Sequence, residues 1–187
     1  MAEHRSAAWR WWELYGDGIT DPEDPRLVTV PSIAGRSCRL HWAAAAVFRQ
    51  LAADWTAAHP GDAPLLLTSG WRERQPWQAT EATYHAELLR RYRSRLPDDA
   101  TDAEVIRHGR LYLARRSTHF TGLALDLGSP PPMRPDSRWV ATQRLSNVCA
   151  WLAEEMRKRG LRWYLPEPWH LELPLPADVW KAAGPEG

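Results

Sequence analysis

Residues 117–126 read Ser-Thr-His-Phe-Thr-Gly-Leu-Ala-Leu-Asp. From residue 123 onward, leucines alternate with smaller or polar residues, which is the two-residue period of a β-strand. The leucines would share one face of this strand, and Asp126 would lie on the other face beside the small Ala124. His119 and Asp126 have an odd spacing, so an unbroken strand would place them on opposite faces, and Gly122 offers the bend that brings them together. The stretch therefore predicts a turn and then a strand, with a histidine and a carboxylate on one side.

A second strand is predicted at Trp169–Leu173. Its apolar residues also alternate, so they would face the core while His170 and Glu172 face a cleft or solvent. Pro168 and Pro174 flank this strand, and proline cannot donate a hydrogen bond to a sheet. The flanking prolines favour a position at an edge or a mouth of the sheet rather than a central one.

The polar residues of these strands form a set with a known chemistry. Two imidazoles and one carboxylate can occupy three corners of a tetrahedral zinc site and leave the fourth for water. His119, Asp126 and His170 supply that set, and Glu167 is a candidate to take a proton from the water. Glu172 is a rival base, because it shares a strand face with His170. Taken singly, each residue has a simpler explanation, since most histidines are not metal ligands and acidic residues are common in turns.

The rest of the chain alternates between helical and strand patterns. Apolar residues at helical spacing predict helices over residues 39–58, 79–95, 102–114 and 138–159. Short apolar runs predict strands at Leu27–Val30, Pro64–Gly70 and Leu161–Leu165. The run that ends at Gly70 is predicted to be a central strand, which would place Trp71 and Arg72 at a sheet edge or in a cleft.

The chain is long enough for one well-buried core and too short for two ordinary domains, since it has 187 residues. We expect a lead-in over residues 1–35 that packs on the domain, a domain over residues 36–175, and a tail over residues 176–187. The lead-in contains a cluster of tryptophans, which is more typical of packing than of a carbohydrate platform: Trp9, Trp11 and Trp12.

Composition and charge exclude several classes of protein. Hydrophobic residues make up 44% and charged residues 25% of the chain, as in folded soluble proteins. The net charge of +1 gives no strong electric field that would attract nucleic acid or a membrane surface.

The two cysteines, Cys38 and Cys149, are expected to be buried thiols rather than a disulfide. No apolar run is typical of a signal peptide or a membrane span, which predicts a cytoplasmic location.

Three motifs, in this order along the chain, carry a resemblance to a known family: residues 69–72 (Ser-Gly-Trp-Arg), residues 117–126 and residues 167–170 (Glu-Pro-Trp-His). Together they resemble the D-alanyl-D-alanine carboxypeptidases and dipeptidases of vancomycin resistance. These enzymes belong to the LAS zinc peptidases, named for lysostaphin, the D-Ala-D-Ala peptidases and the hedgehog signalling domain. The resemblance covers about residues 36–175. It implies an α+β fold in a single domain, with a small, mostly antiparallel central sheet and flanking helices.

The resemblance also implies a role for each matching residue. His119, Asp126 and His170 would ligate one Zn²⁺ per chain. Glu167 would be the general base toward water and then the acid toward the leaving amine. Arg72 would stabilise the scissile carbonyl oxygen as it becomes an oxyanion.

Further residues would line the substrate pocket. The resemblance places Ser117 near the substrate, and Trp71 in the pocket wall, where the family usually has tyrosine. Trp169 is a third candidate for contact with substrate. Gln75 or Gln78 is a candidate for a family glutamine that follows the arginine, although the spacing differs.

A zinc peptidase is the expected function, and its substrate would be a short peptide with a D-amino acid, such as a D-Ala-D-Ala end or a peptidoglycan stem peptide. No nucleic acid partner and no membrane insertion are expected. Three alternatives stay open: a phage-type endolysin, an amide hydrolase of a biosynthetic pathway, and a zinc-stabilised binding module without turnover. The presence of both Glu167 and Arg72 favours catalysis over the binding module.

Overall fold

The computed structural model of this protein describes residues 11–32, 35–62, 64–128, 147–163, 167 and 169–184. The chain divides into a main unit, residues 1–72 and 118–187, and a second unit, residues 73–117. The domain boundaries that the sequence suggests at residues 35 and 175 stay predictions. In the described part of the chain, no helix is both long and apolar enough to cross a membrane.

The main unit contains two antiparallel sheets. The first is a hairpin of β1 (Leu27–Pro31) and β2 (Ser37–His41). The second has four strands, named in chain order β3 (Leu66–Ser69), β4 (Ala124–Gly128), β5 (Arg162–Trp163) and β6 (His170–Glu172). Their order across the sheet is β3-β4-β6-β5, and all neighbours are antiparallel.

Five helices can be bounded in the described residues: α1 (Trp42–Ala58), α2 (Glu81–Tyr92), α3 (Asp102–Gly109), α4 (Asn147–Lys158) and α5 (Ala177–Lys181). The helices α2 and α3 belong to the second unit, and the other three belong to the main unit. Short 3₁₀ turns occur at Pro76–Gln78, Arg93–Arg95 and Thr118–Thr121. The last of these carries His119.

The main core contains residues from both sheets and from the helices of this unit. Leu40, Leu125 and Leu171 come from strands β2, β4 and β6, and each is fully buried. The described part of the lead-in adds Trp11, and α5 adds Trp180. Burial of such large apolar side chains supplies most of the free energy that holds the strands in place.

The second unit has a small core of its own. Its buried residues come from α2 and α3: Tyr84, Leu88, Tyr92 and Val105. Thr80 and Thr101 cap these two helices, since each hydroxyl accepts a hydrogen bond from a backbone N–H in the first turn.

The predicted start of the first helix is wrong. The helix was expected from residue 39, but residues 37–41 form β2 and the helix begins at Trp42. Pairing with β1 gives Leu40 a buried place in a sheet, so its match to the helical spacing is accidental. His41 ends the strand and caps the helix, since its Nδ1 accepts a hydrogen bond from Ala43 N. The predicted helices over 79–95 and 102–114 are also shorter, ending at Tyr92 and Gly109.

The predicted positions of two strands in the sheet are also wrong. The strand before Arg72 was expected to be central, but β3 is the first strand in the order. The strand between Pro168 and Pro174 was expected at an edge, but β6 pairs with β4 on one side and β5 on the other. The paired residues run from His170 to Glu172, so Pro174 lies outside the ladder and removes none of its donors, whereas Pro168 is outside the described residues.

Several sequence predictions fall on residues outside the described part of the chain. These are Trp9, residues 138–146 of the last long helix, and residues 164–165 of the strand after it. In the described part of that helix, Leu152 and Met156 are buried as its apolar face predicts.

Candidate metal centre

A bend at Gly122 brings His119 and Asp126 to one side, as the sequence predicts. His119 lies in the turn Thr118–Thr121, and Gly122 follows it with a φ of 72°. This left-handed conformation favours glycine. A Cβ at Gly122 would also lie 2.8 Å from the backbone nitrogen of His41. The position therefore requires glycine for both its conformation and its packing.

The register of the four-stranded sheet brings the three sequence motifs together. Asp126 on β4 is the register partner of His170 on β6 and of Ser69 on β3. Ser69 begins the motif that ends at Arg72, whose backbone N–H donates to the carbonyl of His119 at 3.3 Å. Residues far apart in the chain are thus neighbours around one carboxylate.

Two histidines converge on that carboxylate. The Nε2 atom of His119 lies 3.2 Å from Asp126 Oδ1, and the Nδ1 atom of His170 lies 2.9 Å from the same oxygen. Each of the three residues offers one ligand atom, and these atoms all lie within 4.8 Å of one another. All three side chains are buried. The spacing suits ligands that surround a single small ion.

The far nitrogen of each histidine has a hydrogen-bond acceptor. His119 Nδ1 lies 2.6 Å from the carbonyl oxygen of Gly70, so Nδ1 carries the proton and Nε2 presents its lone pair to the centre. His170 Nε2 lies 3.2 Å from Glu172 Oε1, which leaves Nδ1 toward Asp126. Such acceptors behind a metal-binding histidine fix its tautomer and ring orientation. Thr118 adds a hydroxyl 3.3 Å from His170 Nε2.

Burial and hydrogen bonding set the charges of the three residues. Burial lowers the pKa of His119 more than the neighbouring Asp126 carboxylate raises it, so this imidazole is neutral. Burial also lowers the pKa of His170, but hydrogen bonds with Asp126 and Glu172 outweigh it and raise the pKa to about 9. Burial raises the pKa of Asp126, yet the two histidines beside it hold that pKa well below its usual range.

The donor set fits a zinc ion. Two imidazole nitrogens and a carboxylate oxygen are ligands that zinc prefers, and a three-residue set leaves a position open. Three ligand atoms with lone pairs this close together repel one another unless a proton or a cation lies among them. A divalent cation would relieve that repulsion, and the bonds to Gly70 and Glu172 keep the rings aimed at the same point.

Arg72 reaches the centre from the end of β3. Its Nη2 lies 2.7 Å from Asp126 Oδ2, and its Nε donates to Ser69 Oγ at 2.9 Å. The Asp126 carboxylate therefore has one oxygen toward the histidines and the other toward a guanidinium. About half of the Arg72 side chain is exposed, at 51%. The exposed half leaves N–H donors free to meet a substrate.

The two candidate bases lie in different surroundings. Glu172 is half-buried, and burial raises its pKa, but hydrogen bonds with His170 and Thr118 outweigh this and lower it. Glu167 is exposed, and its backbone carbonyl accepts a hydrogen bond from His170 N at 2.8 Å. Its carboxylate is not part of the group of atoms within 4.8 Å around Asp126. Glu172 is thus engaged in holding His170, whereas Glu167 faces solvent.

The three residues predicted to contact the substrate lie in different surroundings. Trp71 is half-buried, its indole N–H donates to Ile19 O at 3.1 Å, and its ring packs on the main core. Trp169 is half-buried next to His170, and its carbonyl accepts a hydrogen bond from Leu127 N. Ser117 is half-buried and belongs to the second unit. Their contact with a substrate stays a prediction.

Gln78 has a structural role in the second unit. Its side chain accepts a hydrogen bond from Gln75 N at 2.8 Å and donates to Ala114 O at 2.9 Å. The Gly70 carbonyl and the Thr118 hydroxyl are partners of the histidines that the sequence does not predict. Both lie inside the quoted motifs, but a backbone carbonyl has no signature in a sequence, and threonine is common in turns.

Comparisons with known proteins bear on the fold. No protein-family model matches the chain, and no curated protein matches it in sequence. Among solved structures, it is similar to VanYB in complex with D-alanine-D-alanine, with 17% identity and a TM-score of 0.50 over 90% of each chain. It is also similar to a zinc-bound variant of the vancomycin-resistance D,D-pentapeptidase VanY from the VanB-type cassette, with 16% identity, a TM-score of 0.44, and 86% of this chain and 87% of that chain covered. The likeness to VanYB confirms the predicted α+β fold with antiparallel sheets and flanking helices.

Proposed function

We propose that this chain is a zinc-dependent peptidase that hydrolyses a short peptide near a D-amino acid. The observation that carries the proposal is the buried group of His119, Asp126 and His170, whose ligand atoms lie within 4.8 Å of one another. The acceptors behind both histidines support it, because they orient the rings for a metal rather than for packing alone. Zinc, when bound, supplies a Lewis acid that polarises the scissile carbonyl and brings the pKa of water to about 7.

The chain's own residues would carry the remaining steps. Glu167 would take a proton from the attacking water and return it to the leaving amine, because it is exposed to solvent and its backbone carbonyl bonds to the N–H of the neighbouring ligand His170. Arg72 donates from its exposed side to the carbonyl oxygen as negative charge develops there. Glu172 holds His170 through its Nε2 and is proposed as a partner of the ligand, not as the base.

The proposed substrate class is a peptide with a D-Ala-D-Ala-type end. VanYB, whose fold this chain shares, binds D-alanine-D-alanine in its solved structure, which supports this choice. In the cytoplasm, the location that the sequence predicts, the substrates within reach would be free dipeptides and peptidoglycan precursors. Ser117, Trp71 and Trp169 remain our candidates to contact the peptide.

The test is incubation of the zinc-loaded protein with D-Ala-D-Ala, with longer stem peptides that end in D-Ala-D-Ala, and with L-Ala-L-Ala. Mass spectrometry should show release of D-alanine from the D,D peptides and no cleavage of the L,L control. Treatment with a chelator should stop the release, and added zinc should restore it. A protein that binds zinc tightly and cleaves none of these peptides contradicts the proposal.

The alternative is a zinc-stabilised binding module without turnover. One observation favours it: the Glu167 carboxylate is exposed and stands apart from the group around Asp126. In that case the peptides would bind to the zinc-loaded protein and be recovered intact. Calorimetric binding together with the cleavage assay separates the two functions.

Replacing Arg72 with alanine is expected to lower kcat/KM by about 100-fold, as loss of an oxyanion donor does. The measurement is steady-state cleavage of the best peptide at saturating zinc, so that weaker metal binding does not contribute. Arg90→Ala is the control, because Arg90 is an exposed arginine that pairs with Glu87 in the second unit. An unchanged rate in Arg72→Ala would remove Arg72 from the proposed mechanism.

A further inference from the structure

Distant parts of the main unit donate hydrogen bonds to the turn that carries His119. The carbonyl of Phe120 accepts from Ile19 N at 2.7 Å, and the carbonyl of Gly122 accepts from His41 N at 3.0 Å. The carbonyl of Thr121, between them, accepts from the indole Nε1 of Trp180 at 3.0 Å. The first two donors are backbone groups, whereas the third is a side chain on α5 and can be removed by substitution.

Trp180 is held firmly in its place. Its side chain is buried, with the guanidinium of Arg26 4.4 Å from the ring centroid and the ring of Tyr15 at 4.9 Å. Arg26 Nη1 also donates to the backbone carbonyl of Trp180 at 3.3 Å. A cation over an indole face and a neighbouring aromatic ring both stabilise such a position.

His41 makes a second hydrogen bond to the backbone carbonyl of Trp180. Its Nδ1 accepts from Ala43 N at 3.2 Å, so the proton of the neutral imidazole lies on Nε2, which donates to Trp180 O at 3.1 Å. Burial lowers the pKa of His41, which keeps this tautomer uncharged. The backbone N–H of the same histidine donates to Gly122 O. One residue thus contacts both Trp180 and the end of the turn.

Thr121 connects this arrangement to the metal centre. It is fully buried, and its hydroxyl donates to Thr118 O at 2.6 Å within the turn that contains His119. Loss of the indole donor would leave a buried carbonyl without that hydrogen bond, which favours a shift of the turn. Because His119 lies two residues away, its Nε2 would move relative to Asp126.

We propose that Trp180 is a positioning residue for the metal ligand His119. The inference rests on the proposed zinc site and adds a residue from α5 that lies outside the three sequence motifs. Trp180 would act through Thr121 and would touch neither the metal nor the substrate. Its role is to keep the ligand-bearing turn where His119 Nε2 can share an ion with Asp126 and His170.

The experiment is a comparison of zinc affinity and thermal stability in Trp180→Phe. Phenylalanine keeps an aromatic ring in the core but lacks the N–H that Thr121 O accepts. We expect the zinc Kd to rise about tenfold, since one buried hydrogen bond behind a ligand is lost. The increase in Tm on zinc addition should be smaller than in the wild type, because that increase depends on zinc affinity. If Trp180 only packs the core, the substitution would lower the Tm of the zinc-free and the zinc-bound protein equally and leave the zinc Kd unchanged. That result would overturn the inference.

Trp55→Phe is the matched control. Trp55 lies on α1 in the main core and is as buried as Trp180. Its replacement should lower stability with and without zinc and leave the zinc Kd unchanged. If Trp180→Phe does not fold, Arg26→Gln takes its place, because it loosens Trp180 from outside the core. An unchanged zinc Kd in Arg26→Gln would then overturn the inference. A wild type that fails to bind zinc would instead contradict the proposed function.

Discussion

Glu167→Gln is expected to lower kcat by about 1,000-fold while zinc stays bound. Loss of a general acid-base group costs roughly 100- to 10,000-fold in rate, and glutamine cannot take the proton from water. The carboxylate of Glu167 is exposed and stands outside the group of ligand atoms, so its replacement should leave the zinc Kd unchanged. The measurements are zinc titration against a competing chelator and peptide cleavage at saturating zinc.

Glu172→Gln is compared with Glu167→Gln, because it makes the same change in the other candidate base. Glu172 Oε1 lies 3.2 Å from His170 Nε2, and loss of such a partner weakens metal binding by about 10- to 100-fold. We expect its cleavage rate to recover when zinc is raised to saturation. Glu154→Gln is the control, because Glu154 is exposed on α4 and pairs with Lys158. The reverse pattern, with turnover lost in Glu172→Gln and kept in Glu167→Gln, would make Glu172 the base.

The second large effect is expected in His119→Ala. The substitution removes one of the three proposed ligands, so we expect the zinc Kd to rise by more than about 100-fold, the upper end of the loss for a residue behind a ligand. Peptide cleavage should disappear with the metal. The measurements are the metal content of the purified variant and a zinc titration followed by calorimetry.

His85→Ala controls for the loss of a histidine, because His85 lies in the second unit and pairs there with Glu81. Circular dichroism should show that His119→Ala is folded, although its Tm falls because the hydrogen bond to the Gly70 carbonyl is lost. Full zinc occupancy in a folded His119→Ala protein would remove His119 from the ligand set.

The strands around the centre were predictable because their apolar residues recur with a period of two, and few other secondary structures fit that pattern. Leu125 on β4 and Leu171 on β6 are buried as the alternation requires. The order of those strands was not predictable in the same way. The prolines that flank the strand suggested an edge, and only the pairing of β6 with both β4 and β5 shows that it is an inner strand.

The start of α1 was predicted too early, because a strand residue was assigned to the helix. Leu40 fits the helical spacing of the residues that follow it, so the sequence favours a helix from residue 39. Its burial in β2 depends on pairing with β1, a contact between segments that local periodicity does not contain. Tertiary pairing therefore overrides the local preference at this boundary.

The sequence alone determined the chemistry of the candidate centre. Two histidines, an aspartate, an arginine and a glutamate in three motifs specify which donors are present, and Gly122 specifies where the chain can bend. Tertiary structure alone decided which nitrogen of each histidine faces the centre. That choice depends on the Gly70 carbonyl behind His119 and on Glu172 behind His170, and therefore on the register of the sheet. Hydrogen-bond acceptors reach the ring nitrogens only in the folded chain, and for that reason no spacing in the sequence reveals them.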